Sequence, residues 1–180
     1  MSRVCMTTCS GRQVDLLAPS PDAIVIGDIA HHLALQVRWV GAVRSFYSVA
    51  QHSVHVAQIV PGEHRLWALL HDASEAYLGD VSAPLKGWTG MSGYRALEAQ
   101  LQHVIEHRFG LRGPRPASVD EADHRVRVAE AHDLLVTVPP SMQGLPRAGF
   151  VIHPKSPAGA KAWFLNAFAA LTELAPKGVG

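Results

Sequence analysis

The sequence predicts an all-α domain of about six helices spanning residues 1–180. Three observations carry this. Apolar residues recur three and four apart in several segments. Helix-capping signals stand before those segments. The intervening stretches are marked by Pro and Gly, as loops are. With 48% hydrophobic residues, the chain has enough apolar surface for a true core.

In chain order, Gly11 to Val25 is broken by Pro19 and Pro21 and reads as a loop or a short hairpin. From Asp28 to Trp39 a first helix is expected, with Ile29, Leu33, Val37 and Val40 on its apolar stripe. Ser48 and Gln51 form a capping-box pattern that opens a second helix ending at Pro61-Gly62. A third is expected from Glu63 to Tyr77. The long segment LGDVSAPLKGWTGMSG then has the length and punctuation of a functional loop. A fourth helix runs from Tyr94 to Phe109. Ser118 with Glu121 suggests a second capping box and a fifth helix to Thr137. After a Pro/Gly-rich loop from Pro139 to Lys155, Ser156-Pro157 reads as N-cap and first-turn proline of a sixth. That helix carries Ala162, Phe164, Leu165, Phe168 and Leu171.

A net charge of +1 with 17% charged residues argues against a nucleic-acid polymer as partner, which needs a basic excess. Cys5 and Cys9 are too few for a disulfide framework and read as free thiols. The first residues lack a signal-peptide core, and no stretch reaches the roughly 18 apolar residues of a membrane span. A cytoplasmic protein with no membrane partner is expected.

The informative residues break the helix pattern. His52 lies on an inner stripe with Val49 and Val56. In LWALLHDASEAY an apolar run leads straight into His71-Asp72, a poor place for an unpaired carboxylate. Asp123 sits beside the stripe Val119, Ala122, Val126 and Ala129. Either Asp123 pairs with Arg125 or Arg127, or it joins the others. Two imidazoles and two carboxylates on three helices make a mixed set suited to Mn, Co, Zn or Fe. A rival H-x-x-E-H string, His103 to His107, lies on an otherwise amphipathic surface helix and is expected to bind no metal.

The strings FYSVAQHSVHVA and LLHDASEAYLGDVSAPLK, with the distant aspartate, resemble the HD superfamily of phosphohydrolases. The likeness is to compact bacterial and phage members acting on deoxynucleotides. It implies an HD-domain helical bundle with metal ligands His52, His71, Asp72 and Asp123. It implies catalytic roles for Glu75, which would orient or deprotonate the attacking water, and for Asp80. Substrate contacts would come from Arg38, Trp39, Pro84 and Lys86. The cofactor would be a divalent transition metal (Zn, Co or Mn), with a second ion such as Mg joining with substrate left open. The substrate would be a small deoxynucleotide and the protein a homo-oligomer. The opening SGR and FYSVAQHS lean toward a dATP-type triphosphohydrolase. The alternatives are a 5′-deoxynucleotidase and a non-catalytic nucleotide sensor. Gln51 departs from the Glu usual in that family, and Ala42 from the frequent His.

Overall fold

A computed structural model describes residues 4–173, so the ends of the expected 1–180 span lie outside the described residues. The helical expectation holds. A short hairpin, β1 (Cys5–Thr7) with β2 (Gln13–Asp15), precedes eight α-helices. These are α1 (Ile26–Leu35), α2 (Val49–Ile59), α3 (Arg65–Leu69), α4 (Glu75–Leu78), α5 (Ala83–Lys86), α6 (Ser92–Arg108), α7 (Ala117–Leu134) and α8 (Pro157–Glu173). The hairpin is pinned by Asp28 of α1, whose carboxylate accepts from Ser10 N, Ser10 Oγ and Cys9 Sγ.

Helix α2 is the axis of the molecule. Every residue from Val49 to Ala57 is buried, not the single stripe that spacing suggests, because α1, α3, α7 and α8 pack around it. Its neighbours supply Ile29 and Leu33, Leu69, Val126 and Ala129, and Phe164, all fully buried. A helix surrounded on all sides has no face to give to water, so its polar residues Gln51, His52, Ser53 and His55 are buried along with its apolar ones.

Three local expectations are corrected. Only half of the first capping box forms: Ser48 accepts from Gln51 N, but the Gln51 side chain turns away to the backbone of His153 and Lys155. The second box does not form. Helix α7 starts two residues earlier than a Ser118 cap requires, at Ala117, and the Ser118 hydroxyl is engaged by His64 Nδ1 at 2.8 Å. The first helix stops at Leu35 and not at Trp39, and Val40 is 74% exposed, off any core stripe. Ser156-Pro157 does open the last helix, with Ser156 Oγ accepting from Gly159 N.

The expected Glu63–Tyr77 helix is interrupted. Between α3 and α4 the chain winds tightly through residues 70–74, with N–H groups reaching back three residues (Ala73 to Leu70, Glu75 to Asp72). Two side chains take the freed backbone groups. His71 Nδ1 lies 2.7 Å from Ala68 O. The Gln102 amide of α6 donates to Leu70 O and accepts from Ser74 N, replacing the α-helical bond that those two groups would have made. A side chain inserted into the ladder in this way is a recognised cause of a helix break.

Candidate metal centre

The break presents His71 and Asp72 to α2 and α7. His52 Nε2 and His71 Nε2 lie 3.3 Å apart. Asp72 Oδ2 is 3.1 Å from His71 Nε2 and 3.8 Å from His52 Nε2. Asp123 Oδ1 is 3.1 Å from His52 Nε2 and 4.0 Å from His71 Nε2. All four residues are thus brought together. Donor atoms of His52, His71 and Asp72 all lie within 4.8 Å of one another, a group that can hold a metal ion.

The histidine tautomers follow from their other contacts. Ala68 O can only accept, so His71 Nδ1 carries its hydrogen and Nε2 keeps a lone pair. His52 Nδ1 lies 2.6 Å from Glu130 Oε1, which fixes that ring the same way. Two imidazole lone pairs and two carboxylate oxygens therefore converge, an arrangement that repels itself unless a cation sits among it. In the metal-free protein a proton is that cation. Burial presses the His52 pKa down and Arg38 adds to this, but Glu130 and Asp123 prevail and raise it to about 9. Burial likewise opposes the charge on Asp72 and Asp123, yet the imidazoles beside them hold both carboxyls below the ordinary range.

A fifth residue, Glu130, lies outside the set expected from the sequence. It is fully buried on α7, seven residues after Asp123 and so on the same helix face. Its Oε1 faces His52 and its Oε2 accepts from Arg38 Nε at 3.1 Å and Trp39 Nε1 at 2.9 Å. Burial favours its neutral form, but Arg38 and His52 outweigh that and keep its pKa at about 2. The signal was available: a carboxylate inside the apolar run Val128-Ala129-Glu130-Ala131 is the same anomaly that marks Asp72.

Arg38 is buried and tied to Glu130, with Nη1 also 3.7 Å from Asp72. Trp39 and Val40 take left-handed backbone angles, φ +58° and +51°. Such conformations cost about 1–3 kcal/mol each and persist only where surrounding contacts hold them. Here Arg38 N bonds to Tyr47 O, Ala42 N to Trp39 O, and the indole to Glu130.

Glu75 is buried one turn beyond Asp72. Its Oε1 accepts from Lys86 Nζ at 2.7 Å, while Oε2 is buried without a partner. Burial, then the Asp72 and Asp80 carboxylates, push its pKa up to about 9 against the pull of Lys86. Lys86 also bonds to Glu98 Oε1 at 2.7 Å, so its charge is shared between two carboxylates. Asp80 is half-buried; burial raises its pKa, opposed by Arg38. Its N–H and the Glu75 carbonyl are joined by the Gln36 amide. Pro84 is exposed in the first turn of α5, two residues before Lys86. His103 is 83% exposed on its side chain, with its ring 3.9 Å from Glu106, so it stays outside the cluster. The thiols of Cys5 and Cys9 are free.

The molecule is thus a helical protein with a buried His/Asp cluster able to hold a metal ion. No protein-family model matches the chain. It belongs to the family of YfdR, a protein of Escherichia coli K12 described as uncharacterized, with which it is 36% identical over 171 residues, 93% of this chain and 95% of YfdR. A protein of Rhodobacter capsulatus, also described as uncharacterized, is 42% identical over 131 residues, 68% of this chain and 66% of that protein. No helix among the described residues is long and apolar enough to cross a membrane.

Proposed function

We propose that the protein is a metal-dependent phosphohydrolase of the HD type acting on small phosphorylated 2′-deoxynucleotides. The observation that carries this reading is the convergence of His52 Nε2, His71 Nε2, Asp72 and Asp123, with both Nδ1 atoms already committed elsewhere. A mixed nitrogen and oxygen set of this kind suits Zn, Co or Mn. A bound divalent ion supplies Lewis acidity, lowering the pKa of water and polarising a phosphoryl oxygen.

The chain's own residues supply the rest. Glu75 Oε2, buried and unpartnered, is the atom with free capacity to exchange a proton with an attacking water. Lys86 is the cation at the rim that can leave its carboxylates for a phosphate. Arg38, held by Glu130, stays fixed beside Asp72 as a preorganised positive charge. Asp80, whose pKa burial raises, would assist as an acid group, with Trp39 and Pro84 as walls.

The resemblance leans toward a triphosphate substrate, but the charge inventory favours the 5′-deoxynucleotidase alternative. Asp72, Glu75, Asp80, Asp123, Glu130 and Glu98 outnumber Arg38, Lys86 and Arg127, and each of those three cations already faces a carboxylate. One phosphate is easier to neutralise there than three. The test is a side-by-side assay of dAMP and dATP with Zn-, Co- and Mn-loaded protein and identification of products. We expect release of inorganic phosphate from dAMP, and loss of turnover and metal together in His71→Ala and Asp72→Ala. Full activity in either variant, or in thoroughly metal-free protein, would overturn the proposal; tripolyphosphate from dATP with dAMP untouched would overturn the substrate choice alone.

A further inference from the structure

We infer that Glu130 is a positioning residue that couples the metal centre to the strained turn at Arg38–Gly41, so that the state of Trp39 sets metal affinity. The inference rests on the reading of His52 as a metal ligand. Glu130 is a single fully buried carboxylate facing three donors: His52 Nδ1 on one oxygen, Arg38 Nε and Trp39 Nε1 on the other. It is fully buried, so a shift that satisfies one oxygen is felt at the other. The turn it clamps carries two consecutive left-handed residues, neither of them glycine, and would relax if released. The indole bond is therefore a restraint on Glu130 as much as Glu130 is a restraint on the turn. Partners beyond the ligands themselves orient ligating imidazoles and change metal affinity by about 10–100-fold when lost.

The chemistry separates this from a generic core role. Glutamine at position 130 offers one acceptor oxygen and an NH2 group, so it can satisfy His52 or the Arg38–Trp39 pair but meets the other with donor against donor. Trp39→Phe removes the indole N–H, and with it part of the ring, while leaving all four proposed ligands in place. Coupling must also run in both directions, so metal binding must be felt at the indole.

The experiment is calorimetric titration of Zn2+ into wild type, Glu130→Gln and Trp39→Phe, with the indole N–H resonance of Trp39 followed by NMR in wild type and assigned by its loss in Trp39→Phe. We expect affinity to fall at least tenfold in Glu130→Gln and severalfold in Trp39→Phe, and the indole resonance to move when Zn2+ is added. If Glu130→Gln does not fold, Trp39→Phe still decides. Wild-type affinity in Trp39→Phe with an unmoved indole resonance overturns the coupling while leaving the metal reading intact. Failure of wild type to bind Zn2+, Co2+ or Mn2+ removes the metal reading and this inference with it.

Discussion

At the scale of single residues, burial decides which side chains are legible as functional. His52, His71 and Asp72 stand out in the sequence because a polar group on an apolar stripe is costly unless something pays its desolvation. Glu130 obeys the same rule on the helix that carries Asp123, since it too interrupts an apolar run. His55 shows the opposite case, a buried histidine with no place in the cluster. Its ring stacks on Phe150 with centroids 4.7 Å apart, meets Trp163 edge-on, and accepts from the Gln51 amide. Burial is the main reason that its pKa falls to about 4, and the charge of His52 adds to this. A depressed histidine binds its proton more readily in the unfolded chain. Its contribution to stability is therefore complete above about pH 6.5 and is lost as pH falls toward 4. That loss is on the order of 3 kcal/mol. His55→Phe keeps the aromatic slot and removes the titration. Urea unfolding at pH 7, 5.5 and 4.5 should show a flatter acid limb in the variant, and parallel limbs in the two proteins would refute the assignment.

At the scale of elements, the long helices α1, α2, α6, α7 and α8 were legible from period and punctuation, since both are local properties. Two features were not. The left-handed turn at Trp39 and Val40 depends on Glu130, more than ninety positions away for Arg38, and nothing in its own residue types demands it. The break at residues 70–74 depends on Gln102, which reads from sequence as an ordinary helix residue. Gln102 therefore makes a specific prediction. Gln102→Ala leaves Ser74 N without its partner and Leu70 O with Ala73 N alone, at about 1–3 kcal/mol for a group that stays buried and unpaired. A loss of roughly 2 kcal/mol in denaturant unfolding is expected, together with weaker metal binding, because the same segment carries His71 and Asp72. Gln102→Glu, which keeps an acceptor for Ser74 N but no donor for Leu70 O, should fall between. An unchanged midpoint in Gln102→Ala would show that the break is held by other contacts.

At the scale of the whole molecule, the cluster joins α2, the 70–74 turn and α7, so an ion bound there links three parts of the chain. A ligand that binds only the folded state stabilises it by about 2.7 kcal/mol at a hundredfold excess over Kd. For a chain of this size that is roughly 5–10 °C in Tm. Chelation should reverse the gain in wild type and do nothing in a His71→Ala/Asp72→Ala variant; an equal gain in both would place the ion elsewhere. Because Glu130 and Asp123 raise the His52 pKa to about 9, uptake of an ion at the proposed site would exchange that proton for the ion. The thermal gain should accordingly shrink as pH is lowered. The order of the ligands along the chain has one more consequence. His52, His71 and Asp72 leave the ribosome within one short stretch, whereas Asp123 and Glu130 follow about fifty residues later. On the proposed metal reading, the nascent protein would carry an incomplete chelate with nothing to seat His52, so tight metallation would belong to the end of biogenesis.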